Sequence, residues 1–134
     1  MKQKFKRSFD ELRNIVVMTE ALFREEGLQT ELRHVVDLAT EELFANMVTY
    51  NTESDEDILI EMRPHEHGVE VSLTDYNVNR FDPTAAGSVD IDAPLDERSP
   101  GGLGLYLVLK MVDSIHYEYR NRQSKITFIV DRKA

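Results

Sequence analysis

Arg98-Ser99-Pro100-Gly101-Gly102-Leu103-Gly104-Leu105-Tyr106-Leu107-Val108 places three glycines directly before an apolar run with helical spacing. Glycine lets a backbone approach an anion closely and adopt positive φ, while the free N–H groups and positive end of a following helix attract phosphate without a side-chain charge. The spacing excludes the two commonest glycine loops. No Gly-Lys-Ser/Thr end follows, as a P-loop requires, and Gly101-Gly102-Leu103-Gly104 lacks the third glycine of a dinucleotide fingerprint. A different nucleotide fold has to be considered.

Outward from this segment, Ile115-His116-Tyr117-Glu118-Tyr119-Arg120 and Lys125-Ile126-Thr127-Phe128-Ile129-Val130 alternate as two strands around a turn at 121–124, after a helix over about 102–113. Upstream, residues 76–101 hold three of the four prolines and few bulky apolar residues, the profile of a functional lid. Before that lid, residues 57–63 and 69–75 alternate as strands about a Pro64 to Gly68 turn. Two helices come first. Ser8-Phe9-Asp10-Glu11 reads as a capping box opening a helix over about 8–26, and Thr30 as the cap of a second helix with a buried stripe through Leu32, Val36, Ala39, Leu43 and Met47. The order ααββ, lid, αββ predicts an α+β fold in one domain over 1–134, a two-layer sandwich with helices on one face of a mixed or antiparallel sheet.

Composition narrows the function classes. No cysteine is present, which excludes disulfides, thiolate zinc sites and cysteine nucleophiles. A net charge of −9 argues against direct nucleic-acid binding. No apolar run approaches the roughly 20 residues of a spanning helix, and the basic N-terminal segment lacks the apolar block of a secretory signal, so no membrane association and a cytoplasmic location are expected.

Glu42 and Asn46 lie four residues apart on the second helix and project from one face. An amide oxygen suits a hard cation such as Mg²⁺, and a carboxylate one turn away could take a proton from a nucleophile approaching a terminal phosphate. Alone, the pair is better read as an Asn capping a frayed end and a Glu on a solvated face. Asp75, at the end of a strand, could accept a hydrogen bond from an exocyclic amine such as adenine N6, or simply start a turn. His65 and His67 read as a solvated hairpin turn, and the tyrosines 117 and 119 as sheet packing.

Taken together, Glu42-Leu43-Phe44-Ala45-Asn46, the run Asp75 to Pro83 and the run Arg98 to Val108 resemble, in order, the N box, adenine box and second glycine box of the GHKL ATPases. Within that family the chain is similar to the anti-sigma factor serine-protein kinases of bacterial partner-switching systems. The resemblance implies the Bergerat α/β sandwich and Mg²⁺-dependent binding of ATP. It also implies that Asn46 ligates Mg²⁺, that Glu42 is the general base for a partner's serine or threonine hydroxyl, and that Asp75 reads adenine. Gly101, Gly102 and Gly104 would wrap the phosphates, in a cofactor-binding segment with Ser99, Leu103 and Leu105, and Arg98 would sit near the terminal phosphate. The implied partners are a sigma factor and a STAS-type anti-sigma factor antagonist, and the implied state is a homodimer.

One position departs from the pattern. Asn77 stands where the adenine box usually has glycine, and the segment to Phe81 is one residue longer than usual. Asparagine tolerates positive φ best among non-glycine residues, so the turn is expected to survive. The departure leaves a second reading open, a partner-sequestering module that binds ATP weakly or not at all. A sensor histidine kinase domain fits less well, because His34 lies inside the N-box helix itself.

Overall fold

Rows of apolar residues facing each other across strands build the sheet. The computed structural model describes residues 1–80 and 102–131, with residues 102 and 103 described by backbone alone. In chain order its elements are β1 (Lys2–Phe5), α1 (Leu12–Glu26), α2 (Arg33–Tyr50), β2 (Ile58–His65), β3 (Gly68–Tyr76), α3 (Gly102–Met111), β4 (Ser114–Arg120) and β5 (Gln123–Asp131). The spatial order is β1-β2-β3-β5-β4, and every described neighbour pair is antiparallel. The expected α+β layering is therefore observed, with the antiparallel form of the sheet.

Register explains the core. Met62, Val71 and Phe128 lie opposite one another across β2, β3 and β5, as do Ile60, Leu73 and Ile126. This face meets Ile15, Met18 and Leu22 of α1, Val36, Leu43, Phe44 and Met47 of α2, and Leu105 and Val108 of α3 in one buried cluster. Each such side chain, fully buried, contributes about 1.5–3 kcal/mol. The opposite face carries Glu61, Arg63, Glu70, Ser72, His116, Glu118, Lys125 and Thr127, a polar surface. Among the described residues no helix is long and apolar enough to cross a membrane.

Several local expectations are corrected. The basic N-terminal segment, which the sequence assigns to no element, is an edge strand, β1, which inserts only Phe5 into the core, edge-to-face on Phe44 with centroids 6.4 Å apart. Ser8 does accept a bond from the Asp10 N–H, at 3.2 Å, but Glu11 reaches past it to the Lys6 N–H at 2.8 Å. The capping box thus closes on Lys6, and a 3₁₀ turn, Phe9–Glu11, precedes α1. Thr30 does not cap α2: it lies within a second 3₁₀ turn, Thr30–Leu32, whose N-cap residue is Gln29. The β2–β3 turn tightens to Glu66 and His67, with Pro64 paired to Val69 inside the ladder. The closing hairpin turns on Asn121 and Arg122 alone, both at positive φ, the requirement of a two-residue type I′ loop.

Candidate functional site

The helical period of α2 turns Glu42 and Asn46 to the side where α3 begins. Gly104, in the first turn of α3, is what lets the two helices meet there: a Cβ at that position would lie 2.5 Å from Glu42 Cδ and 2.9 Å from its Oε1. Gly104 and the α2 carboxylate, 62 positions apart in sequence, are therefore in contact. The first N–H groups of any α-helix have no intrahelical acceptor, so a helix start such as that of α3 suits an anion. Leu105 is 3% exposed and its side chain belongs to the core.

Asn46 is 7% exposed, and its Nδ2 donates to the Glu42 carbonyl at 2.7 Å. A carbonyl accepts only from the amide nitrogen, which settles the flip and leaves Oδ1 on the free side. That oxygen is buried without a hydrogen-bond partner. A buried acceptor left unmade costs roughly 1–3 kcal/mol, which a hard cation would offset. The donor set fits Mg²⁺ on this ground: one neutral, partnerless oxygen a helical turn from the Glu42 carboxylate that meets α3. Among the described residues no group of three or more His, Asp or Glu side chains converges on a metal, so phosphate and water oxygens would complete the shell. Glu41, beside Glu42, has its carboxyl pushed above its ordinary range by burial first and by Asp37 and Glu42 second, a measure of the negative potential along this face of α2.

Asp75 is fully buried, at the β3 end nearest the α2 C-terminus. One of its oxygens is held by an Arg7 Nη2 ion pair, and the other accepts from Asn51 Nδ2 at 2.7 Å. Arg7 reaches it from the β1–α1 connection and also points Nη1 at the Met47 carbonyl, 3.4 Å away near the negative end of α2. Burial pulls the Arg7 guanidinium below its usual value, opposed by Glu53, Asp55, Glu56 and Asp57. Arginine stays charged nonetheless.

Asn77 adopts φ 63°, the left-handed conformation a glycine would supply. The β4–β5 turn braces this loop. Arg122 donates through Nη2 to the Asn77 carbonyl at 3.2 Å and through Nη1 to Asn79 Oδ1 at 3.0 Å, and its own carbonyl accepts from the Val78 N–H at 3.0 Å. These bonds compensate Arg122 for its own positive φ. Tyr119 Oη donates to the Val78 carbonyl at 2.8 Å, and Glu53 accepts from the Asn79 N–H at 2.7 Å, which lowers the Glu53 carboxyl below its ordinary value. The tyrosines 117 and 119 thus pack in the sheet as expected, while Tyr119 also holds the loop and the Arg80 guanidinium lies 6.0 Å from each ring centroid.

Residues 81–101 lie outside the described residues, and with them Arg98, Ser99, Gly101 and most of the expected 76–101 lid. Gly102 and Leu103 are placed only as the backbone start of α3. The structure brings Glu42, Asn46 and Gly104 together, and puts Asp75 and Asn77 at the far end of α2. Sequence reasoning missed Arg7, Asn51, Glu53 and Arg122. Only Arg122 left a trace, in its place beside Asn121 between two alternating strands.

The fold is that of an ATPase-type domain. The chain belongs to the histidine kinase-like ATPase domain family, whose model matches residues 5–130. Among solved structures it is similar to that of the RsbU and RsbW domains of Rv1364c from Mycobacterium tuberculosis, with 14% identity and a TM-score of 0.68. That match covers the whole of this chain and 33% of the other, so the chain spans about a third of its length. At that identity the likeness is one of fold. A search of curated proteins finds no relative that matches.

Proposed function

We propose that this chain is an anti-sigma factor of a bacterial partner-switching system and a protein kinase that uses Mg²⁺ and ATP to phosphorylate a serine or threonine of a STAS-type antagonist. The contact of the Glu42 carboxylate with Gly104, at the helix start suited to phosphate, carries the reading. In the proposed reaction the partner's hydroxyl oxygen bonds to the terminal phosphorus, the bond to the ADP oxygen breaks, and Glu42 takes the hydroxyl proton. Asn46 Oδ1 would hold the metal, with its amide anchored on the Glu42 carbonyl so that base and ligand share one turn of α2. Bound Mg²⁺ supplies neutralisation of phosphate charge. The N–H groups opening α3 orient the phosphates, with Gly101 and Arg98 proposed to join them, and Asp75 and the Asn77 turn bound the base end. Cytoplasmic location and a homodimer complete the proposal.

Incubating the chain and its antagonist with ATP labelled in the terminal phosphate tests it. Glu42→Ala should lower transfer by about 10²–10⁴-fold with ATP binding kept. Unchanged transfer rules out Glu42 as the base. A second reading, a non-catalytic partner-sequestering module, is favoured by one observation: Arg7 already engages the carboxylate expected to read adenine.

A further inference from the structure

We propose that Arg7 is a specificity-determining residue that cancels adenine reading by Asp75 at the base end of the site. The inference rests on the nucleotide reading above. Both Asp75 oxygens are engaged within the chain, one by the Arg7 guanidinium and the other by the Asn51 amide, and the carboxylate is fully buried. An exocyclic amine is a neutral donor. To reach Asp75 it has to displace a charge-assisted bond roughly twice as strong as the one it would make. Arg7 is held by its surroundings as well, with its side chain 12% exposed and Nη1 directed at the Met47 carbonyl.

The Arg7 Nε is buried beside the carboxylate as well, so the guanidinium is enclosed there and not draped over a surface. Adenine puts an amine donor at position 6 where guanine carries the O6 acceptor, so an Asp75 already engaged removes the contact that separates the two bases. With Arg7 in place adenine loses its advantage over guanine. With Arg7 removed, Asp75 is freed to accept from adenine N6 and ATP gains it.

The test is calorimetric titration of the full chain with Mg·ATP and Mg·GTP, for the native protein and Arg7→Met, which keeps the apolar stem. The native protein should bind the two nucleotides within about threefold of each other, and Arg7→Met should favour ATP by about tenfold or more. A native preference for ATP of about tenfold overturns the role of Arg7 while leaving the nucleotide reading intact, and needs no folded variant to be seen. An unchanged ratio in a folded Arg7→Met protein overturns it equally. If neither nucleotide perturbs the backbone amides of residues 102–105, followed by NMR in the same titration, the nucleotide reading falls and this inference with it.

Discussion

The Glu42 carboxylate lies against the bare Cα of Gly104, in space that a single methyl group would fill. Gly104→Ala separates two effects of opposite sign. In a helix the change by itself favours folding by about 1 kcal/mol. Here the methyl displaces the carboxylate, and a displacement on the scale of 1 Å at a reacting group costs on the order of 100-fold in rate. The expected outcome is a folded protein with transfer to the antagonist reduced on that scale, read from labelled-phosphate transfer beside a thermal melt.

Asn46→Ala tests the metal ligand. Removing the amide deletes its bond to the Glu42 carbonyl, at about 1 kcal/mol of stability, and the partnerless oxygen with it. ATP affinity measured with Mg²⁺ and with EDTA should differ in the native protein and converge in the variant. A variant that keeps the full Mg²⁺ effect removes Asn46 from the metal site.

Asn77 is predicted to be replaceable by glycine and by little else. Its φ of 63° is open to glycine without strain, so Asn77→Gly should leave urea denaturation within about 0.5 kcal/mol of the native midpoint energy. Asn77→Val forces a β-branched residue into the same conformation and should cost about 1–2 kcal/mol. Equal stability of the two variants would show that the turn does not need the left-handed conformation.

Glu53 gives the loop a pH dependence of definite sign. Its carboxyl is held below the ordinary 4.5, chiefly by the Asn79 N–H, so its contribution to stability is present above pH 4.5 and is lost as pH falls through the lower folded value. The melting-temperature gap between native protein and Glu53→Ala should be steady from neutral pH down to about 5 and close below it. A gap that widens on acidification contradicts the assignment.

How much of this was legible in sequence depended on the range of the interaction. Alternation in Ile58, Ile60 and Met62, and in Val69, Val71 and Leu73, marks core-facing strand positions locally, and those residues are buried. Glu42 and Asn46 could be read as neighbours because four residues make one helical turn. β1 was hidden because an edge strand exposing Lys2 and Lys4 buries too little to show a period. Arg7 and Asp75, 68 positions apart, meet only once β1 has paired with β2 and α2 has packed on the sheet, and nothing near either residue foretells it. The same holds for the Glu53 bond to Asn79 and for the closeness of Glu42 to Gly104.

The central claim is that phosphate sits where α3 begins, opposite Glu42 and Asn46. NMR of the labelled chain during a Mg·ATP titration tests it most directly. The account predicts shifts in the backbone amides of residues 102–105 and in the Asn46 side-chain amide, all saturating together. Saturation with those signals unmoved, or with shifts confined to the polar sheet face around Glu70 and Lys125, would contradict it.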